Sequence, residues 1–279
     1  MHRHVFQQID VFTAVPLKGN ALAVVHSADD LAIEQMQAFA RWTNLSETTF
    51  LLKPTNAAAD YRLRIFTPGG ELPFAGHPTL GSCFAWLSKG GNSRDERHVM
   101  QECGVGLVKI RKEGARLAFA APPLKRSGEV EPETLARIVN ALRIERSAVR
   151  AAQWCDNGPG WVGILLSSRD EVLALQPHVS AMMDLNIGVI APWPEGSIEA
   201  QYEVRAFCPS LGIPEDPVTG SLNAGLAQWL IGKGIAPERY VASQGTALQR
   251  AGRVFVAREG GEIWIGGDSV CCIDGHATL

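Results

Sequence analysis

Short apolar runs, in which Val, Ile, Phe and Trp are frequent, recur between turn residues along the whole chain. Runs of this length and composition are typical of β-strands. The predicted strands are Val5–Phe12, Ala21–Val25, Tyr61–Phe66, Val105–Ile110, Leu117–Ala120, Trp161–Leu166, Tyr202–Phe207, Val254–Ala257 and Ile263–Ile265. The pattern therefore predicts a protein with many short strands.

Helical spacing of apolar residues occurs in fewer places. One helix is predicted from Asp30 to about Thr43, with Asp29 or Asp30 available to cap its start. Its apolar stripe would consist of Ile33, Met36 and Ala40.

Three further helices complete the pattern. Pro132–Leu142 is predicted as a helix because proline suits a first turn and Leu135, Ile138 and Leu142 follow at helical spacing. Thr79–Leu87 and Ser221–Ile231 are apolar on nearly all sides, which predicts buried helices. Many strands with a few helices, two of them central, predict an α+β fold.

The chain contains an internal repeat. Tyr61–Pro73 and Tyr202–Pro214, at an offset of 141, share five of thirteen residues. Each is followed by a turn and an apolar helix that ends in Trp-Leu, with an offset of 143 between Trp86-Leu87 and Trp229-Leu230. Two unrelated units could coincide by chance, but the matching flanks favour duplication. We therefore expect two similar domains joined near residues 124–131.

The composition excludes several classes of protein. The 279 residues are 46% hydrophobic and 20% charged, and 26 basic against 29 acidic residues give a net charge of −3. This balance excludes a generic basic nucleic-acid binder, and no apolar run is long enough to span a bilayer. The first ten residues lack the apolar core of a signal peptide, and the six Cys form no C-x-x-C pair, so a cytoplasmic location is expected. The seven His lack ligand spacing, and we expect no metal.

The repeat has a chemical consequence, because each copy leads a tight turn into the N-terminus of a buried helix. Free N–H groups and the positive end of the helix dipole favour anions at such a terminus. If both termini face one cleft, that cleft would hold a carboxylate or phosphate group.

The first turn contains Gly76 and His77. Glycine allows a ligand to approach the backbone closely. His77 precedes Pro78, which favours an extended conformation just outside the helix. The imidazole could there bind an anion or transfer a proton, or it could simply bond to the backbone as a cap.

The second turn contains Asp216, Gly220 and Ser221. An aspartate before a helix is a common cap, so a structural role for Asp216 is the alternative to a site role. Gly220 and Ser221 could offer N–H and hydroxyl donors to a ligand.

Glu47 is the third candidate, and it lies between a predicted helix end and the apolar residues Phe50 and Leu51. Apolar neighbours would partly desolvate its carboxylate and raise its pKa towards the range of a general base. The alternative is an exposed glutamate in a surface turn.

Other reactive side chains have structural interpretations. Cys83 lies in an apolar helix and Cys208 precedes a proline, so both are expected in the core rather than as nucleophiles. The repeated Arg64 and Arg205 are expected on a solvated strand face, with anion binding as the alternative. The sequence contains no G-x-S-x-G elbow, no P-loop and no dinucleotide-binding motif.

Several segments, in order over nearly the whole chain, together resemble the phenazine-biosynthesis PhzF family, which has the diaminopimelate-epimerase-like fold. The matching segments are Asp10-Val11-Phe12-Thr13 with Gly19-Asn20, Asn44–Thr48, Gly76–Gly81, Asp216–Ser221, Gln244-Gly245 and Gly266-Gly267. The resemblance implies two similar domains, each a β-barrel-like sheet around a central helix, with the active site in the cleft between them. The domains would be 1–124 with a returning tail, 268–279, and 125–267.

The resemblance also implies cofactor-free proton chemistry and frequently a homodimer. The family's acid/base glutamate corresponds to Glu47, its His-Pro motif to His77, and its Asp-Pro motif to Asp216. The corresponding substrate-binding positions are Asn20, Gly76, Gly220 and Ser221. Related epimerases of this fold use one cysteine at each helix entrance, and the absence of cysteine from both entrances here disfavours two-thiol racemisation.

The leading hypothesis is an isomerase that moves a proton within a small carboxylate-bearing substrate. Glu47 would remove a proton from one carbon and return it to another on the same face, assisted by His77 and Asp216. The alternatives are an epimerase or dehydratase of another small acid, and a non-catalytic relative that binds a small molecule or a protein. No cofactor, metal, nucleic acid or membrane is expected as a partner.

Overall fold

The computed structural model describes residues 2–279, which divide into two compact units. Unit 1 consists of the chain up to Ala120 together with Gly266–Leu279, and unit 2 is Ala121–Ile265. Unit 1 thus ends at Ala120 rather than at Leu124, and the C-terminal segment rejoins it at Gly266 rather than after Gly267.

The elements of unit 1 alternate strands with two longer helices. They are β1 (Arg3–Val11), β2 (Asn20–Val25), α1 (Ile33–Thr43), β3 (Glu47–Leu52), β4 (Tyr61–Phe66), β5 (Glu71–Leu72), α2 (Gly76–Ser88), β6 (His98–Cys103), β7 (Gly106–Glu113) and β8 (Arg116–Ala120). The C-terminal segment contributes the chain's last strand, Ser269–Thr278, which pairs antiparallel with β1.

Unit 2 repeats this alternation. Its elements are β9 (Arg126–Gly128), α3 (Pro132–Leu142), β10 (Ala151–Asp156), β11 (Trp161–Leu165), α4 (Arg169–Ala174), β12 (Asn186–Pro192), β13 (Tyr202–Cys208), β14 (Ile213–Asp216), α5 (Gly220–Gly232), β15 (Arg239–Gln244) and β16 (Gly252–Glu259), followed by β17 (Glu262–Gly267), whose last two residues belong to unit 1. The last strand of the chain is accordingly β18. Short 3-10 helices cover Arg146–Ala148, Val179–Met182, Pro209–Leu211 and Thr246–Leu248.

The two units share one strand topology. In unit 1, β1–β2 is antiparallel, β2–β3 parallel, β3–β4 and β4–β5 antiparallel, β4–β6 parallel and β6–β7 antiparallel. In unit 2, the same sequence of pairings runs through β10, β11, β12, β13, β14, β15 and β16. The predicted α+β fold is confirmed, and the shared topology supports the duplication inferred from the repeat.

The central helices α2 and α5 align at an offset of 144. Both have thirteen residues, both begin with glycine, and both have a second glycine five positions later, Gly81 and Gly225. The strands β4 and β13 keep the offset of 141. Three residues are therefore added between strand and helix in unit 2, rather than the two indicated by the Trp-Leu pairs.

The second glycine of each helix lets the helix lie close to its sheet. A Cβ on Gly81 would lie 2.6 Å from Cδ2 of Leu22, and one on Gly225 would lie 2.3 Å from the carbonyl oxygen of Cys155. In unit 1, α2 contacts strands β1, β2, β3, β4, β6 and β8, so its sheet surrounds the helix. Helices buried on nearly all sides are what their apolar sequences predicted.

Gly225→Ala is expected to destabilise the protein, because the new methyl group meets backbone that cannot rotate away. Overpacking of this kind costs about 1–3 kcal/mol. Urea unfolding measures the loss. Gly232→Ala, at the end of the same helix with nothing within 4 Å of the new Cβ, is the matched control and should not destabilise. Equal stabilities of the two variants would contradict the close approach.

The first helix differs from its prediction at its start. Met36 and Ala40 are buried as expected, but Ile33 is 51% exposed. The cap residue is Ala32, whose N–H donates to Oε1 of Gln35 at 2.9 Å, rather than an aspartate. Asp29 instead accepts the N–H of Lys53 at 3.0 Å. The helix α3 begins and ends as predicted, and its three stripe leucine and isoleucine residues are buried.

The repeated arginines are not simply solvated, contrary to expectation. Arg205 is only 6% exposed and donates from two nitrogens to the carboxylate of Glu215, each at 2.8 Å. Arg64 makes the same two-fold contact with Glu71 at 2.7 and 2.6 Å. A planar guanidinium matches a carboxylate with two parallel hydrogen bonds, so each arginine fastens its strand to the segment before the central helix.

Among residues 2–279, no helix combines the length and apolar character required to cross a bilayer.

Candidate active site

Glu47 is the first residue of β3 and not part of a surface turn. Its side chain keeps 16% of its accessible surface, but Oε2 is buried and accepts no hydrogen bond within residues 2–279. Burial raises the pKa of Glu47 to about 7, against a smaller lowering by the Ser46 side chain. The predicted desolvation of this carboxyl group is confirmed. Near neutral pH, such a carboxyl group can either accept or donate a proton.

His77 lies beside Glu47, with its Nδ1 atom 3.4 Å from Oε2 of Glu47. The prediction that His77 lies outside the helix is wrong, since α2 begins at Gly76 and His77 is its second residue. Pro78 does not prevent this, because the first N–H groups of a helix have no acceptor inside the helix. The helix therefore fixes the backbone of His77, and the buried imidazole lies next to a carboxyl group that titrates near neutrality.

Gly76 allows the first turn of α2 to pack beneath an aromatic ring. A Cβ at this position would lie 2.4 Å from Cζ of Phe119, a buried residue of β8. The ring of Phe119 also contacts Phe74 edge to face at 5.7 Å. The packing against Phe119 therefore requires glycine at position 76, whether or not Gly76 also contacts a ligand.

Asn20 begins β2 and is buried. The turn before it is shaped by Asp10, whose Oδ2 accepts the N–H groups of Lys18 and Gly19 at 2.8 and 3.0 Å. The Asp10 and Gly19-Asn20 segments of the family resemblance therefore form one local structure in unit 1.

Asp216 of unit 2 is buried and ends β14, so it is not the cap of α5. The cap position belongs to Thr219, whose hydroxyl donates to Oδ2 of Asp216 at 2.6 Å. The capping alternative for Asp216 is therefore wrong. Three residues separate the end of the strand from the helix, and the aspartate side chain bonds to a side chain instead of a free helix N–H.

Gly220 and Ser221 are the first two residues of α5. The indole N–H of Trp161 donates to the hydroxyl of Ser221 at 3.0 Å, and the side-chain amide of Asn157 donates to its carbonyl at 2.8 Å. A serine hydroxyl that accepts the indole N–H keeps its own proton for another acceptor.

Corresponding positions of the two units carry different chemistry. Thr48 lies opposite Phe66 in unit 1, and Ile187 lies opposite Phe207 in unit 2. These strand registers make Asn186 the counterpart of Glu47. The helix offset makes Ser221 the counterpart of His77. Unit 1 thus carries two side chains that can exchange protons, where unit 2 carries an amide and a hydroxyl.

Cys83 and Cys208 belong to the core and not to the residues around Glu47 or Asp216. Cys83 is buried in α2, where burial raises the pKa of its thiol to about 12, and Cys208 is buried at the end of β13. The core positions predicted for both residues are confirmed. Within the part of the chain that the structure describes, no three His, Cys, Asp or Glu side chains form a group that could hold a metal.

Sequence reasoning missed three residues of these arrangements, namely Thr219, Gln244 and Trp161. Gln244 is fully buried, and its side-chain amide bonds to the segment between Asp216 and Thr219. Thr219 and Gln244 both lie in segments that resemble the family, which was the available signal. Trp161 had no such signal, because its contact with Ser221 joins positions 60 residues apart.

A family model described as phenazine biosynthesis-like protein, PhzC-PhzF, matches residues 9–277. Antisense-enhancing sequence 1 of Schizosaccharomyces pombe is 38% identical over 300 residues, with all of both chains covered. Trans-2,3-dihydro-3-hydroxyanthranilate isomerase of Pseudomonas fluorescens is 35% identical over 269 residues, which cover 93% of this chain and 91% of the relative.

The solved structures with a similar fold include both PhzF proteins and epimerases. A PhzF-family protein of Enterococcus faecalis has a TM-score of 0.83 at 26% identity, with both chains fully covered. A hydroxyproline epimerase of Agrobacterium vitis has a TM-score of 0.62 at 14% identity, over 99% of this chain and 93% of that one, which shows a shared fold alone. The predicted epimerase-like fold is confirmed.

Proposed function

Because this chain belongs to the PhzF family of phenazine biosynthesis-like proteins and is an isomerase, we propose that it moves a proton between two carbons of a small carboxylate-bearing substrate, with Glu47 as acid and base. The observation that carries this proposal is the buried carboxyl group of Glu47, with a pKa of about 7, at 3.4 Å from His77. A group with this pKa accepts and returns a proton at neutral pH with little loss in either direction.

The difference between the two units favours a single base. Glu47 has Asn186 as its counterpart, and an amide does not accept a proton at neutral pH, so the two units do not supply a symmetric pair of bases. Asp216 of unit 2 is instead held as a hydrogen-bond acceptor by Thr219. An epimerase that inverts a centre with two bases needs a proton-exchanging group on each side of the carbon. One base instead removes a proton and returns it to the same face of the substrate.

The reaction is an allylic proton shift that requires no redox partner. The C–H bond at the first carbon breaks towards Glu47, and its electron pair becomes part of the displaced double bond. The former alkene carbon at the far end takes the proton back from Glu47. The substrate must therefore carry a double bond next to the carbon that loses the proton.

The remaining site residues are proposed to bind and orient the substrate. His77 would donate to Glu47 or to the substrate, and Asp216 would accept a hydrogen bond from a polar substrate group. The free N–H groups at Gly76 and Gly220 suit a carboxylate, because each begins a helix. Asn20 and Ser221 would contribute polar contacts.

The relatives suggest a substrate class. Three relatives that are 34–35% identical are named trans-2,3-dihydro-3-hydroxyanthranilate isomerase. We propose that this chain acts on that compound or on a similar partly unsaturated ring carboxylate, which has the double bond that an allylic shift requires.

Deuterium transfer tests the proposed function. The dihydro-hydroxyanthranilate, labelled with deuterium at the carbon that loses the proton, is incubated with the enzyme in ordinary water. Mass spectrometry and NMR should find part of the label at the second carbon of the product, because one carboxyl group carries the proton between the two sites. Label transfer that persists at the wild-type rate in Glu47→Gln would contradict Glu47 as the single base.

The two alternative functions give different results in the same experiment. An epimerase would exchange the label without moving a double bond, and a panel of amino-acid and hydroxy-acid carboxylates would reveal it. A binding protein would show a higher melting temperature with one of these compounds and no exchange.

A further inference from the structure

We propose that Thr219 and Gln244 are positioning residues for the reaction, which together hold the Asp216 carboxylate in one orientation as a hydrogen-bond acceptor. This inference rests on the role proposed above for Asp216. The structure supports it through the geometry of Gln244, the direction of the Thr219 hydrogen bond, and the contrast with unit 1.

Gln244 uses its whole side-chain amide. Nε2 donates to the hydroxyl of Thr219 at 2.9 Å and to the carbonyl of Asp216 at 3.0 Å. Oε1 accepts the N–H of Thr219 at 3.0 Å and the side-chain amide of Asn223 at 2.9 Å. An amide has two donors and two acceptor sites, and all four are engaged. Turning the amide over would place N–H groups against N–H groups, so its orientation is fixed.

The orientation of Gln244 determines that of the Thr219 hydroxyl. This hydroxyl accepts from Nε2 of Gln244, and its single proton then points to Oδ2 of Asp216, at 2.6 Å. The hydrogen bonds run in one direction, from Gln244 through Thr219 to Asp216. A hydroxyl held as a donor stabilises a carboxylate acceptor, since an ionised acceptor makes the stronger hydrogen bond.

Unit 1 shows that the fold does not require this chain of hydrogen bonds. The register of Ile65 with Leu72 and of Ala206 with Asp216 makes Leu72 the counterpart of Asp216. The helix offset gives Ala75 as the counterpart of Thr219.

The third member of the chain is also absent from unit 1. In the parallel pair β4–β6, Tyr61 lies opposite Gln101, and in the parallel pair β13–β15, Tyr202 lies opposite Ala242. These registers make Cys103 the counterpart of Gln244. Unit 1 therefore builds the same strand, turn and buried helix with none of the three polar side chains. Unit 1 also has a buried network between this strand and helix, in which Tyr61 donates to Gln101 and Gln101 donates to Thr79, but these three side chains are neutral. The chain in unit 2 ends on a carboxylate, which is costly to bury unless it is held by hydrogen bonds, so this end of the chain points to the function of Asp216.

The test compares Thr219→Val, which removes the hydroxyl but keeps the shape, with Thr219→Ser, which keeps the hydroxyl. Isomerase assays should show a fall in kcat of about 10- to 100-fold in Thr219→Val, as expected for the loss of one hydrogen bond to a charged group. KM should change much less, and Thr219→Ser should remain within about threefold of the wild-type kcat. Thr55→Val loses a hydroxyl contact with Glu102 at an exposed position of unit 1 and should keep the wild-type kcat.

A second measurement is independent of turnover. The NMR resonances of the Asp216 carboxyl carbon and of the Gln244 side-chain amide should shift in Thr219→Val and be restored in Thr219→Ser. Wild-type kcat and unshifted resonances in Thr219→Val would overturn the proposal. Wild-type turnover by Asp216→Asn would also overturn it, while the proposed function of Glu47 would stand, because deuterium transfer tests that function separately.

Discussion

Glu47→Gln is expected to lower kcat by about 10³-fold, within the 10²- to 10⁴-fold range attributed to general acid–base catalysis. Glutamine has nearly the same shape as glutamate but cannot accept a proton from carbon. The substrate should still bind, because the proposed anion contacts at Gly76 and Gly220 are backbone N–H groups that the substitution leaves in place. Stopped assays measure the rate, and calorimetric titration measures binding.

Glu34→Gln is the matched control for this substitution. It makes the same chemical change at an exposed position of α1 and should retain the wild-type rate. The pH profile provides a second check, because only ionised Glu47 can accept a proton. With a pKa of about 7, kcat/KM should fall as the pH is lowered through 7. Near-wild-type turnover by Glu47→Gln would exclude Glu47 as the base.

Much of the fold could be predicted from local patterns. The apolar runs and the repeat of Tyr61–Pro73 in Tyr202–Pro214 indicated strands and a duplication, and the structure has one strand topology in both units. These features depend on residues close together in sequence, so the short-range periodicity of apolar residues can predict them. The exact start of α2 was harder, because Pro78 is compatible with a helix boundary and equally with a first turn.

The site was only partly predictable, because its properties depend on contacts between distant segments. The apolar neighbours of Glu47 indicated that its carboxyl group is desolvated, but its contact with His77 joins two segments 30 residues apart, which no local pattern specifies. Arg205 was expected in solvent because alternation places it opposite Val204 on its strand, yet Glu215 from a separate segment pairs with it. The hydrogen bond between Trp161 and Ser221 likewise joins the start of a strand to the start of a helix, and only the fold brings these two segments together.

Glu47→Gln is also expected to make the protein more stable at pH 8, by up to about 3 kcal/mol. The folded-state pKa of about 7 exceeds the ordinary value of 4.5, so the folded protein binds more protons than the unfolded chain between these two pH values. The contribution of Glu47 to stability therefore declines as the pH rises from 4.5 to 7, and the full cost of its buried charge is present above 7. A difference of 2.5 pKa units corresponds to about 3 kcal/mol, and neutral glutamine avoids this cost.

Urea unfolding of both proteins at a series of pH values measures this effect. The difference in free energy of unfolding between Glu47→Gln and the wild type should be small near pH 4.5, increase towards pH 7 and then level off. Other carboxylates titrate in both proteins and cancel in the difference. Glu34→Gln should show no such dependence on pH. Equal stabilities of Glu47→Gln and the wild type at pH 8 would mean that the folded protein solvates the Glu47 carboxylate as well as water does. In that case a shifted pKa could not be the property that prepares Glu47 for proton transfer. A gain in stability together with a loss of turnover would show that the reactive carboxyl group lowers the stability of the folded protein.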